Sequence, residues 1–112
     1  MKTQYYTATT LDGFIADPND SLDWLFPLGE GVDTGYETFI KDVGALVMGS
    51  TTYEWVLRHL AQTNEKWPYE QPTWVLTTRS LTTPANADVR FARGDVAQLH
   101  REMAEAAAGR NI

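Results

Sequence analysis

LVMGSTTYEW, Leu46 to Trp55, runs from apolar residues through one glycine into three hydroxyls and then an aromatic-rich segment. The apolar part reaches back to Gly44, and GALVMG is a short run bounded by glycines, the pattern of a strand buried on both faces. The residues after Gly49 read as a helix. Thr51 and Glu54 stand at capping-box spacing, and Val56, Leu57 and Leu60 fall on one face. A buried strand that hands over at once to a helix points to α/β architecture.

The flanking segments extend this pattern. Upstream, Tyr36, Phe39, Ile40 and Val43 repeat at helical spacing between Asp33 and Asp42, with Asp33 as the cap, or Thr34 with Glu37 completing a capping box. Before them, TQYYTATT, Thr3 to Thr10, has strand composition, Asp12-Gly13 turns it, and Pro18, Asn19 and Asp20 mark an exposed loop. Leu22, Trp24, Leu25, Phe26 and Leu28 cluster around Pro27 in a segment too broken for a helix. They either pack on a loop or line a pocket.

Downstream, TWVLTT, Thr73 to Thr78, and ADVRFA, Ala87 to Ala92, read as a buried and a partly exposed strand. Asp95 and Gln98 then offer a third capping box. Val96, Leu99, Met103, Ala106 and Ala107 form the apolar face of a helix that Gly109 stops. The expected order is β-α-β-α-β-β-α, a mainly parallel sheet covered by helices in three α-β-α layers. Residues 1–112 form one domain by length.

Arg110-Asn111-Ile112, coming after the helix stop, reads as the approach to a further buried strand. A sheet without that strand leaves an apolar face and an edge uncovered. The expectation is a domain lacking its C-terminal strands.

Composition narrows the function. Nine Lys and Arg against fifteen Asp and Glu give a formal charge of -6, which disfavours a nucleic-acid partner. There is no cysteine, so thiolate chemistry and cysteine-ligated metals are excluded. His59 and His100 lack ligand spacing, and no Ser-His-acid or G-x-S-x-G pattern suggests hydrolysis. No signal peptide or membrane-length apolar run occurs, and a cytoplasmic location is expected.

The glycine junction carries the functional signal. Gly49 stands at the carboxyl end of a strand, where open α/β sheets bind ligands, and Ser50, Thr51 and Thr52 add hydroxyls beside the free amides of a first helical turn. Thr77, Thr78, Arg79 and Ser80 come after the next buried strand and add a guanidinium. If the two strands are neighbours, both junctions face one crevice, where Arg79 can grip a phosphate. The plainer alternatives are a tight turn at Gly49, a cap at Thr51 and a surface arginine.

TATTLDGFIA, the pair Asp23-Trp24, ALVMGSTTYE and WVLTTRS together resemble the dihydrofolate reductase-like family, and within it the bacterial reductase domain of riboflavin biosynthesis. The resemblance spans most of the chain. It implies an NADPH-dependent reductase, commonly a homodimer, acting on a pyrimidine, a pterin or a similar heterocycle. It also implies roles for particular residues: Gly49, Ser50, Thr51 and Thr52 on the cofactor phosphates, and Thr77, Thr78, Arg79 and Ser80 on the adenosine ribose phosphate. Ala8, Thr10 and Asp12 to Ile15, with Gly13 among them, would border the nicotinamide.

Two departures stand out. Many relatives carry arginine where this chain has Ser50, which weakens the preference for NADPH over NADH unless Arg79 compensates. The glycine-rich turn that binds the pyrophosphate does not occur either.

Hydride transfer asks the protein mainly to align donor and acceptor. Asp33, sixteen residues before Gly49, is a candidate for binding or protonating a heterocycle, or is simply a helix cap. Asp12 is a second candidate, or a turn residue. Trp24 and Phe26 either stack on a planar ring or belong to the core. The rival function is a non-catalytic nucleotide-binding or oligomeric assembly domain that keeps the reductase fold.

Overall fold

The computed structural model describes residues 1–29 and 31–112. Its elements are α1 (Phe26–Gly29), α2 (Tyr36–Lys41), β1 (Leu46–Gly49), α3 (Ser50–Thr63), β2 (Thr73–Leu76), β3 (Val89–Ala92) and α4 (Val96–Ala107). The three strands form one parallel sheet in the order β1-β2-β3. Leu46 lies opposite Thr73, and Thr73 opposite Val89.

That register sorts side chains between two faces, because paired residues of parallel strands point the same way and neighbours alternate. Ala45, Trp74, Leu76 and Ala92 meet Leu99, Met103 and Ala107 of α4 in one apolar cluster. On the other face, Tyr53 of α3 sits edge-on to Phe91 of β3. Helices therefore cover both sides of the sheet, as the α/β reading requires. Trp74 and Val75 of the central strand are buried, whereas β1 alternates half-buried and exposed residues because it lies at the edge. The expectation that GALVMG is buried on both faces holds only for Gly44 and Ala45.

Gly44 packs against the end of α4. A methyl group there would lie 2.5 Å from the Ala107 carbonyl oxygen and 2.9 Å from the Arg110 Cβ. Only glycine lets the two backbones approach so closely.

Of the expected capping boxes, one helix start survives in part. Asp95 caps α4, its side chain accepting from the Ala97 amide, but Gln98 turns away to Glu102 and Arg101. Asp95→Ala is expected to lose about 1 kcal/mol of stability in denaturant unfolding. Gly49 precedes α3 directly with no side-chain cap, so Thr51 and Glu54 form no box. Gly35, at φ 74, precedes α2 in place of Asp33 or Thr34, a left-handed conformation that those residues adopt less readily.

The expected first strand is the main difference. Residues 3–10 form no strand. Gln4 donates to the Ile112 carbonyl at 2.8 Å, and Ile112 donates to the Lys2 carbonyl at 2.9 Å. Composition suited residues 5–9 to a sheet, but a strand needs a neighbour to bond with. The strand TWVLTT likewise ends at Leu76, short of Thr78.

Candidate functional site

β1 and β2 are parallel neighbours, with Gly49 opposite Leu76, so both junctions named from the sequence lie at the same end of the sheet. α3 begins at Ser50, with Thr51 and Thr52 exposed in its first turn. No atom stands within 4 Å of the space a Gly49 Cβ would occupy, beyond its chain neighbours. With no side chain capping the helix, the first-turn amides remain available to an anion.

At the second junction the Thr77 hydroxyl accepts from the Arg79 amide at 3.0 Å and shapes the turn. Thr78 and Ser80 are exposed. The Arg79 guanidinium reaches across to Glu54 of α3 and forms an ion pair that ties the two junctions together. Both partners keep contact with solvent, so the pair contributes well under about 1 kcal/mol to stability. Its larger effect is to hold a cation beside the start of α3.

The third expected component is a tight turn. The Thr10 hydroxyl donates to Asp12 at 2.6 Å and accepts from the Phe14 amide at 2.9 Å, with Gly13 at φ 92 closing the turn. Thr10 is the hub here, and Asp12 serves it. The loop then folds back on α3 and leaves two adjoining cavities. One, of about 160 Å³, is lined by Ile15, Ala16, Thr51 and Thr52, among others. The other, of about 260 Å³, lies between Asn19 to Asp23, Phe26 and the α3 residues Trp55, Arg58, His59 and Gln62. Asp20, Leu22, Trp55 and Arg58 border both.

Ile15, Thr51 and Thr52 are thus brought together. Ala8 and Phe26 meet at a separate open hollow that Tyr6, Leu25 and Pro27 also line. Asp33 stands apart: it is exposed, and its carboxylate accepts from the Gly35 amide at 2.9 Å, an Asx turn and not a buried ring-binding acid. Trp24 is half-buried and lines none of these cavities.

Sequence reasoning missed Trp55, Arg58 and His59. His59 stacks on Trp55 at 5.0 Å with 9° between the planes, and Phe26 closes on it at 5.5 Å. Their spacing of three and four residues puts them on one helix face, a signal that was present but read only for apolar residues. Among the described residues no group of three His, Asp or Glu can hold a metal ion, and no helix is long and apolar enough to cross a membrane.

The chain matches no family model. It is 36% identical over 106 residues to YwjB, an uncharacterized protein of Bacillus subtilis strain 168, across 90% of this chain and 58% of that protein. It shares its fold with the crystal structure of a "Putative riboflavin biosynthesis protein" from Shewanella sp. PV-4. The TM-score is 0.71 at 31% identity, over 93% of this chain and 57% of that one. The chain therefore spans a little over half the length of both relatives.

Proposed function

We propose that the chain forms the larger part of an NADPH-dependent reductase domain of the dihydrofolate reductase-like family, in its riboflavin-biosynthesis branch. The observation that carries this reading is the convergence of two junctions at one end of the sheet, Gly49 to Thr52 and Thr77 to Ser80, joined by the Arg79–Glu54 ion pair. The likeness to the Shewanella structure supports it.

The open space at Gly49 and the uncapped start of α3 suit a phosphate. Arg79 suits the phosphate that distinguishes NADPH from NADH, by turning from Glu54 toward it. When bound, NADPH supplies the hydride. The protein's part is to orient the acceptor ring, for which Ile15 and the wall of Trp55, His59 and Phe26 offer apolar and aromatic surface. The acceptor is a pyrimidine, pterin or related heterocycle, and 5-amino-6-(5-phosphoribosylamino)uracil fits that class. The working assembly is a homodimer, in keeping with the branch.

Calorimetric titration with NADPH and NADH tests this. Arg79→Ala is expected to weaken NADPH binding by about tenfold or more, the loss of one charge-assisted contact, and to leave NADH binding nearly unchanged. Equal loss for both nucleotides would assign Arg79 a purely structural role. Absence of binding by either would favour an assembly domain that keeps the fold without the chemistry.

A further inference from the structure

Arg79 is not a free cation. Among Gly49 to Thr52 and Thr77 to Ser80 it carries the one charge, and Glu54 of α3 already holds that charge in an ion pair. The pair leaves the two junctions with amides and hydroxyls but no net positive charge. The rest of the molecule does not restore one, because the chain as a whole carries -6.

The contact is close but poorly aligned. The Glu54 Oε1 that meets the guanidinium is shut off from solvent and accepts no hydrogen bond of good geometry. Arg79 keeps 56% of its side chain exposed against 33% for Glu54, so the arginine is the partner with room to move. A phosphate presents several oxygens to the planar guanidinium fork and matches it bidentately, which the contact with Glu54 does not. Arg79 is therefore able to exchange partners. Glu54 is not: Arg58, one turn further along α3, forms no ion pair with it among the described residues and lines the two cavities instead. An arginine that turns to an incoming anion leaves a carboxylate whose inner oxygen is screened from water and has no other cation. Both the lost pair and the orphaned charge oppose binding.

We propose that Glu54 is a specificity-determining residue acting through Arg79: it competes with the cofactor phosphate for the guanidinium and narrows the preference for NADPH over NADH, a role that rests on the cofactor reading above. A nucleotide with a free ribose hydroxyl in place of that phosphate makes no demand on Arg79. The ion pair then stays intact, so the cost of separating it falls on NADPH alone.

Calorimetric titration of Glu54→Gln with NADPH and NADH tests the proposal. Glutamine keeps the shape of the side chain and removes its charge, and a melting temperature close to that of the parent chain verifies folding. The variant is expected to bind NADPH about fivefold more tightly, the equilibrium equivalent of one solvent-exposed ion pair, with NADH binding unchanged. The gain is expected to vanish when the double variant Glu54→Gln/Arg79→Ala is measured against Arg79→Ala, since the competition runs through Arg79. Weaker NADPH binding by Glu54→Gln would overturn the proposal and make Glu54 the residue that aims Arg79. Equal gains for both nucleotides, no change for either, or a gain that survives in the Arg79→Ala background would overturn it too. The parent chain tells the two failures apart: NADPH binding that Arg79→Ala weakens leaves the cofactor assignment standing while Glu54 loses its role, whereas no binding of either nucleotide removes both.

Discussion

Tyr53→Ala is expected to lower the free energy of unfolding by about 3–5 kcal/mol, enough to threaten the fold of a domain this size. Tyr53 is fully buried, sits edge-on to Trp67 at 5.9 Å and to Phe91 at 5.6 Å, and donates its hydroxyl to the Thr82 carbonyl. It therefore ties α3 both to the sheet and to the β2–β3 connection. Tyr53→Phe keeps the ring and loses the hydrogen bond, with an expected cost of about 1 kcal/mol. Equal destabilisation by the two variants would show that packing is not the main contribution.

The same residue gives stability an alkaline limit. Burial holds the Tyr53 phenol above its ordinary value of 10.0. The folded protein thus binds this proton more tightly than the unfolded chain. The contribution is complete below the unfolded value and is lost as pH rises through the folded one. Chemical denaturation measured from pH 9 upward is expected to show a shallower alkaline decline in Tyr53→Phe. Tyr36 and Tyr69, both also raised by burial first, keep part of the slope.

Gly44→Ala is the second large effect expected, a loss of about 2–3 kcal/mol. By the usual scaling it lowers the melting temperature by roughly 10 °C. The added methyl meets the Ala107 carbonyl oxygen and Cα, and backbone atoms at a helix end cannot retreat as a flexible side chain can. Gly49→Ala is the matched control, because the space there is open. Comparable melting temperatures for the two variants would refute the close-approach argument.

Much of the fold was legible because it rests on local patterns. The runs around Leu46 to Gly49, Thr73 to Leu76 and Val89 to Ala92 bear strand composition, and the helical periodicities around them place α2, α3 and α4. Their parallel pairing stems from the helices and long connections lying between them. The helix starts were less legible. A Thr-x-x-Glu spacing is compatible with a cap, but Glu54 finds a stronger partner in Arg79, a contact from another element that no local window contains. Residues 3–10 misled for a similar reason, since strand composition does not supply a pairing partner.

For the candidate site, the two junctions were legible because the ends of neighbouring strands must coincide once the strands are parallel. The aromatic wall was not. Trp55, Arg58 and His59 acquire meaning only when residues 15–23 fold over α3, and that loop has no periodicity to predict its path. Asp33 illustrates the converse error. Its spacing from Gly49 suggested a ring-binding acid, yet its short side chain is satisfied two residues away at Gly35.

The pairing of Lys2 and Gln4 with Ile112 has a kinetic consequence. Its contacts join residues separated by as many as 110 positions, so nearly the whole chain becomes a loop when they form. Closing that loop from an open chain costs about 1 kcal/mol more than closing the loop between β1 and β2, by the logarithmic law of chain entropy. The β1-α3-β2 unit is thus the nucleus that can assemble first, with Val75 and Tyr53 at its centre. The amino-terminal segment docks last and opens first, which makes the stretch carrying Ala8 and Thr10 the natural place for slow, reversible opening at the edge of the crevice.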